Sequence, residues 1–248
     1  MKKLAIIGYG QMGKMIEQLA PSYDFEVVAI IDLNSEKTKS GQNLEKADVC
    51  VEFTAPEAAF SNIRKLIGLK KNIVVGTTGW FDHLKEAEEL VKLQQTGLVY
   101  GSNFSIGMNI FYRLTEEATK LMNSFQDYDV FGWESHHKLK KDSPSGTAKT
   151  LSNIVLKNTD QKEKAIFDKL DRQIENNEFH FASLRSGSIP GTHLIGFDSE
   201  ADTIELKHTA RNRQGLAGGA LLAARWICGK KGFYNFSDVF RDIAGCEL

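Results

Sequence analysis

The sequence predicts an α/β chain in two parts: an N-terminal Rossmann-type, doubly wound parallel sheet, and a second α+β domain with an open mixed sheet. Three observations carry this prediction. Short apolar runs alternate with helical periodicities through the N-terminal part of the chain. The first of those runs leads directly into a glycine-rich turn. From Phe179 to His208, strand-like runs succeed one another with no helix between them.

Leu4 to Ile7 is an unbroken apolar run, followed by Gly8-Tyr9-Gly10-Gln11-Met12-Gly13 and then by Met15, Ile16 and Leu19 at helical spacing. In such a strand–turn–helix, Gly8 permits the tight turn, Gly10 lets the backbone approach a pyrophosphate, and Gly13 lets the helix pack close to the strand. The helix N-terminus offers free N–H groups and the positive end of its dipole. A second apolar run, Val27 to Ile31, ends at Asp32, nineteen residues after Gly13. An acidic side chain there is placed to meet ribose hydroxyls. Its charge favours NADH over NADPH, because a carboxylate repels a 2′-phosphate, although Lys37 and Lys39 follow closely.

The alternation continues with an apolar run from Val49 to Phe53 and with Thr54-Ala55-Pro56-Glu57, which has capping-box spacing before a helix through Ile63 and Leu66. A strand from Asn72 to Val75, a charged helix from about His83 to Gln95 and a strand from Leu98 to Tyr100 follow. Ligands of parallel sheets sit beyond the carboxyl ends of the strands. Phe53, Gly76, Thr78, Ser102 and Phe104 fall at those ends and are candidates for the nicotinamide surroundings.

Past Phe104 the texture changes. Gly107 to Met122 reads as an amphipathic helix, and Asp129 to Glu134 alternates like a strand that delivers Ser135, His136 and His137 to its end. Pro144 blocks helix before it, and Ser145-Gly146-Thr147 then opens a helix whose free N–H groups form an anion site. Gly146 and Thr147 could hold one carboxylate while Lys140 and His137 engage a second, with His136 left to move a proton. That combination suits a small dianion. A solvated basic loop is the competing reading of Lys138-Leu139-Lys140-Lys141. No metal site is expected, since His193 and His208 lack zinc spacing to His136 and His137, and lysines repel a cation.

The totals are those of an ordinary globular chain: 248 residues, 42% hydrophobic, 25% charged, formal charge -1. No bulk positive charge points to nucleic acid and no run is long enough for a membrane span. The three cysteines show no C-x-x-C spacing, which fits a reducing, cytoplasmic setting.

Five segments together resemble one known family, 4-hydroxy-tetrahydrodipicolinate (dihydrodipicolinate) reductase: G-Y-G-Q-M-G at the start, V-G-T-T-G from Val75, N-F-S-I-G-M-N from Asn103, E-S-H-H-K-L-K-K-D-S-P-S-G-T-A from Glu134 and R-S-G-S-I-P-G-T-H from Arg185. The resemblance implies NAD(P)H-dependent reduction of a cyclic dicarboxylic imine in lysine and diaminopimelate synthesis. By position it implies His136 as proton donor, Lys140 as the essential lysine, and His137, Ser145, Gly146 and Thr147 as substrate contacts. Gly8, Gly10, Met12 and Gly13 become the pyrophosphate turn, Asp32 the ribose acid, and Gly76, Thr78, Ser102 and Phe104 the nicotinamide surroundings. It further implies a dinucleotide-binding domain over residues 1–104, completed by 214–248 through a small-residue helix, and a substrate-binding and oligomerisation domain over 105–213 that forms a homotetramer. Gln11 and Leu33 stand where many relatives have an arginine, which weakens the grip on a 2′-phosphate. Lysine charge is expected to depress the His136 pKa and a bound dianion to raise it. An amino-acid dehydrogenase, a nucleotide-sensing regulator and a Ser145–His136 hydrolase are the rival readings; the first is opposed by H-H-x-x-K and P-S-G-T, the last by the lack of nucleophile-elbow spacing.

Overall fold

The computed structural model describes residues 1–32 and 41–245. In chain order the elements are β1 (Lys2–Ile7), α1 (Gln11–Leu19), β2 (Phe25–Ile31), β3 (Val49–Glu52), α2 (Pro56–Gly68), β4 (Asn72–Val75), α3 (Leu84–Gln94), β5 (Gly97–Tyr100), α4 (Ile106–Met122), β6 (Asp129–His136), α5 (Gly146–Lys157), β7 (Lys164–Ile166), β8 (Glu178–Arg185), β9 (Thr192–Asp198), β10 (Thr203–Thr209), α6 (Gln214–Ile227), β11 (Gly232–Asn235) and α7 (Phe236–Ala244). They form two compact units, Met1–Ile106 with Arg213–Leu248, and Gly107–Asn212.

The first unit is the predicted parallel sheet, in the order β11-β5-β4-β3-β1-β2. Strand order reverses between β1 and β3, so the chain leaves both at a switch point where the two following loops diverge. Its core strands are apolar on both faces, as a sheet covered by helices on both sides requires. Leu4, Ile6, Val49 and Val51 face α1 and α6, while Ala5, Ile7, Cys50 and Val75 face α2 and α3. Burial pushes the Cys50 thiol up to about 12. The sixth strand, β11, pairs parallel with β5 and was not foreseen. Gly232-Phe-Tyr-Asn is too short to show periodicity. The expected capping box at Thr54 is also absent: Ala55 caps α2, and the Thr54 hydroxyl bonds instead to the buried Glu52 carboxylate.

The second unit is a five-stranded mixed sheet in the order β10-β9-β6-β8-β7. β6 lies at its centre, antiparallel to β9 and parallel to β8. One face carries Val130, Phe179, Phe181, Ile195 and Phe197, packed against Met108 and Phe111 of α4 and Leu151 and Val155 of α5. The polar stretch from Asn158 to Asn177, expected as a surface excursion, contributes the edge strand β7, and its Lys162 is buried with its ammonium 2.6 Å from Asp129.

Candidate active site

In the first unit, Gly8 turns the chain out of β1 with φ +92°. A Cβ on Gly8 would lie 2.3 Å from the Phe53 carbonyl oxygen, and one on Gly13 would lie 2.2 Å from the Gly8 carbonyl oxygen. Only glycine allows strand, turn and helix to approach so closely. Gly10 differs: nothing lies within 4 Å of its Cβ position, so its backbone is open to a ligand. Gly10 caps α1 without a side-chain bond, which leaves the first-turn amides available to an anion.

Two cavities flank this turn. One, of about 560 Å³, is lined by Gly8, Gly10, Asp32, Phe53, Asn62 and Lys65. The other, of about 430 Å³, is lined by Gly10, Met12, Phe53, Gly76, Thr78 and Arg213. The Phe53 ring lies directly on Gly76, where a Cβ would meet it at 2.0 Å. Asp32, Phe53, Gly76 and Thr78 are thus brought to one turn, and open glycine, free amides and adjoining cavities fit an extended dinucleotide. Ser102 and Phe104 line neither cavity. Ser102 is exposed, and the Phe104 ring turns into the core, 4.5 Å from that of Phe236, because α6 and α7 present an apolar surface there. Leu33, Lys37 and Lys39 lie outside the described residues.

In the second unit the site forms at the carboxyl end of β6, and strand register explains its membership. Side chains two apart on a strand share a face, so Glu134 and His136 point the same way. Glu134 lies opposite Ser183 on β8 and His193 on β9, and His136 lies opposite Arg185. Period two therefore gathers Glu134, His136, Ser183, Arg185 and His193 on the helix-covered face. Adjacent His137 follows the last residue of β6 and is half-buried.

Glu134 is completely buried and heavily bonded. Its carboxylate accepts from the Ser145 amide at 3.0 Å, the Ser183 hydroxyl at 3.0 Å, Arg185 at 2.7 Å and the Ser145 hydroxyl. The His193 Nε2 lies 3.3 Å and the His136 Nδ1 3.6 Å from its other oxygen. Burial pushes this carboxyl up, but hydrogen bonds from His193, Ser145 and Arg185 outweigh it and hold the pKa well below the usual carboxylate range.

Burial likewise pushes the His136 imidazole down, to about 4, with His193, Lys140 and Arg185 adding to the depression and Glu134 opposing it. Lysine charge depresses the pKa as expected from sequence, but burial is the larger cause. The Lys140 ammonium is not free either: it lies 2.7 and 2.9 Å from the two oxygens of Asp142. Ser145 is fully engaged, its amide and hydroxyl on Glu134 and its oxygen accepting from the Ala148 amide at 3.1 Å. It therefore acts as the cap of α5. The amides of Gly146 and Thr147 open the helix with no intrahelical partner, beside open space at Gly146.

Sequence reasoning missed Glu134, Asp142, Arg185 and His193. Donor atoms of Glu134, His136 and His193 lie within 4.8 Å of one another, a grouping that the spacing along the chain did not suggest. The guanidinium of Arg185 and hydroxyl of Ser145 already occupy the carboxylate on which a cation would depend. Gly191, with φ +151°, lies against the imidazole: its missing Cβ would lie 3.1 Å from the His136 Nε2. The R-S-G-S-I-P-G-T-H segment was a usable signal, because it supplies Arg185, Gly191 and His193 together.

A glycine cradle at the switch point of a parallel sheet, in a chain that also buries an acid–base cluster, is the build of a nucleotide-dependent oxidoreductase. Residues 2–104 match the family model described as dihydrodipicolinate reductase, N-terminus, and residues 107–240 the one described as dihydrodipicolinate reductase, C-terminus. The chain belongs to the dihydrodipicolinate reductase family, whose oxidoreductases use a pyridine nucleotide in lysine and diaminopimelate biosynthesis. It is 37% identical over 240 residues to a 4-hydroxy-tetrahydrodipicolinate reductase of Christiangramia forsetii, covering 97% of this chain and 98% of the relative. A reductase of the same name from Methanoregula boonei is 35% identical, covering 96% and 98%. Among solved structures, a dipicolinate-bound dihydrodipicolinate reductase from Paenisporosarcina sp. TG-14 shares the fold, with a TM-score of 0.76, 21% identity and coverage of 96% and 99%.

Proposed function

We propose that this chain reduces 4-hydroxy-tetrahydrodipicolinate, through its dehydrated ring, to tetrahydrodipicolinate, with His136 as the proton donor and Lys140 as the polarising cation. The observation that carries this reading is the convergence, at one end of β6, of a buried imidazole, an ammonium and the open N-terminus of α5. That the Paenisporosarcina reductase was solved with dipicolinate, a planar dicarboxylate, supports the substrate class.

In this reading, one substrate carboxylate sits on the Gly146 and Thr147 amides, where helix-end N–H groups and dipole favour an anion. Lys140 exchanges Asp142 for the second carboxylate or the ring nitrogen, together with His137. A bound nicotinamide supplies the hydride. Lys140 lowers the cost of electron density that builds on the ring, an effect that grows as water is excluded. His136 delivers its proton from Nε2, since Nδ1 faces Glu134. The turn of Gly8, Gly10, Met12 and Gly13 would hold the dinucleotide, with Asp32 at the ribose, and Phe53, Gly76, Thr78 and the Ser102–Phe104 loop would face the nicotinamide. Asp32 favours NADH, tempered by Lys65 in the same cavity. No metal takes part, because Glu134 is already neutralised by Arg185.

Oxidation of NADH and NADPH is followed separately, with substrate generated in the cuvette from pyruvate and aspartate semialdehyde by the preceding synthase, with and without EDTA. Turnover that prefers NADH and is unchanged by EDTA is expected. Nucleotide binding without turnover would discard the reading.

The chain is further proposed to assemble as a homotetramer in the cytoplasm. Among the described residues no helix is long and apolar enough to cross a membrane. Trp133 and Phe131 are partly exposed on the sheet face away from the helices, and Leu184 beside them is 54% exposed. Sedimentation at micromolar concentration is expected to give a tetramer; a monomer would remove this assignment.

A further inference from the structure

We infer that Glu134 is a positioning residue of the reaction, a fixed counter-ion that holds His136 ready to carry a proton and ties it to the carboxylate clamp at the start of α5. The inference rests on the reductase reading and deepens it, since no role is otherwise assigned to this side chain.

Two geometric facts support it. Glu134 touches both halves of the proposed substrate site. Through its bonds to the Ser145 amide and hydroxyl it fixes the N-cap of α5, and so the direction of the Gly146 and Thr147 amides. The same carboxylate lies 3.6 Å from Nδ1 of His136, a buried nitrogen with no hydrogen-bond partner. A neutral imidazole can leave that nitrogen as a bare acceptor, at the cost of an unsatisfied buried atom. An imidazolium has a proton on both nitrogens, so Nδ1–H closes on Glu134 while Nε2–H lies beside Gly191. Proton uptake thus creates a charge-assisted bond where none existed.

Other charged groups face His136 from each neighbouring strand. Arg185 on β8 and Lys140 in the loop after β6 oppose the imidazolium, as does His193 on β9 when protonated. Asp142 offsets Lys140, and His137 is half-buried just beyond the strand end. Glu134 is the carboxylate nearest the imidazole within this set, so removing its charge leaves the opposing cations uncompensated.

The test uses Glu134→Gln and Glu134→Asp in the full chain. The His136 pKa is read by nitrogen-15 NMR with and without pyridine-2,6-dicarboxylate, and kcat is measured against pH. In Glu134→Gln the His136 pKa is expected to fall by roughly one unit or more. The alkaline limb of kcat should move to lower pH by the same amount, with NADH binding unchanged. Glu134→Asp, which keeps the charge, is expected to restore most of the profile even with a raised KM. An unshifted His136 pKa in folded Glu134→Gln would overturn the proposal, as would a Glu134→Asp profile equal to that of Glu134→Gln. Should wild-type protein show no turnover, the reductase reading fails; the NMR titration still reports whether Glu134 governs His136.

Discussion

His136→Ala is expected to lower kcat by roughly 10²–10⁴-fold, the usual worth of a positioned general acid, with little change in NADH affinity. The pH dependence should show how the imidazole works. In the free chain its pKa is about 4, so it is neutral near pH 7. A bound dianion stabilises the charged form and raises the pKa. The sign follows: substrate binding takes up a proton, and affinity strengthens as pH falls between the pKa of the complex and that of the free chain. Because kcat reports the complex and kcat/KM the free chain, the alkaline limb of kcat should lie at higher pH than that of kcat/KM. Steady-state kinetics from about pH 3 to 9, a window that spans both limbs, checks this. Coincident limbs, or a His136→Ala variant that retains full kcat, would remove His136 from the reaction.

Gly219→Ala is expected to cost the first unit roughly 3 kcal/mol or more, since overpacking a tight contact with backbone leaves no side chain to yield. Gly219 lies inside α6, where an added Cβ would sit 1.7 Å from the Phe104 carbonyl oxygen. The helix would have to leave the core it shares with Phe104, Phe236 and Val239. At about 2–4 °C per kcal/mol for a chain of this size, Tm should drop by roughly 6–12 °C. Gly68→Ala is the matched control: it ends α2 with nothing within 4 Å of the Cβ position, and alanine is the better helix former by about 1 kcal/mol. Calorimetry showing equal Tm for the two variants would contradict the close approach of α6.

The sequence was most legible where short-range physics decides the outcome. The run into Gly8-Tyr9-Gly10 announces strand, turn and helix because each glycine answers a local steric demand. His136 was legible as a strand-end imidazole because alternation from Asp129 onward is a local pattern. What escaped was set by pairing between distant strands. Nothing in Thr192-His193 says that it lies opposite Ser135-Glu134, since register depends on the whole sheet. Glu134 was visible inside the most distinctive segment, yet its role appears only once Ser183, Arg185 and His193 surround it. The pairing of Lys140 with Asp142 escaped for a related reason: a side chain's availability depends on partners that spacing does not reveal. The strand β11 escaped because four residues carry too little pattern.

The first unit is discontinuous along the chain, and this has a consequence for synthesis. Its sheet is completed only when β11 joins β5, and one of its faces is covered only when α6 arrives. A ribosome that has just passed Asn212 has therefore made every residue of the second unit, but holds a five-stranded sheet whose β5 edge is bare. Residues made after the second unit complete a sheet begun before it. During translation the inserted unit can mature while the nucleotide cradle waits, and the nascent β5 edge is the surface most in need of a chaperone.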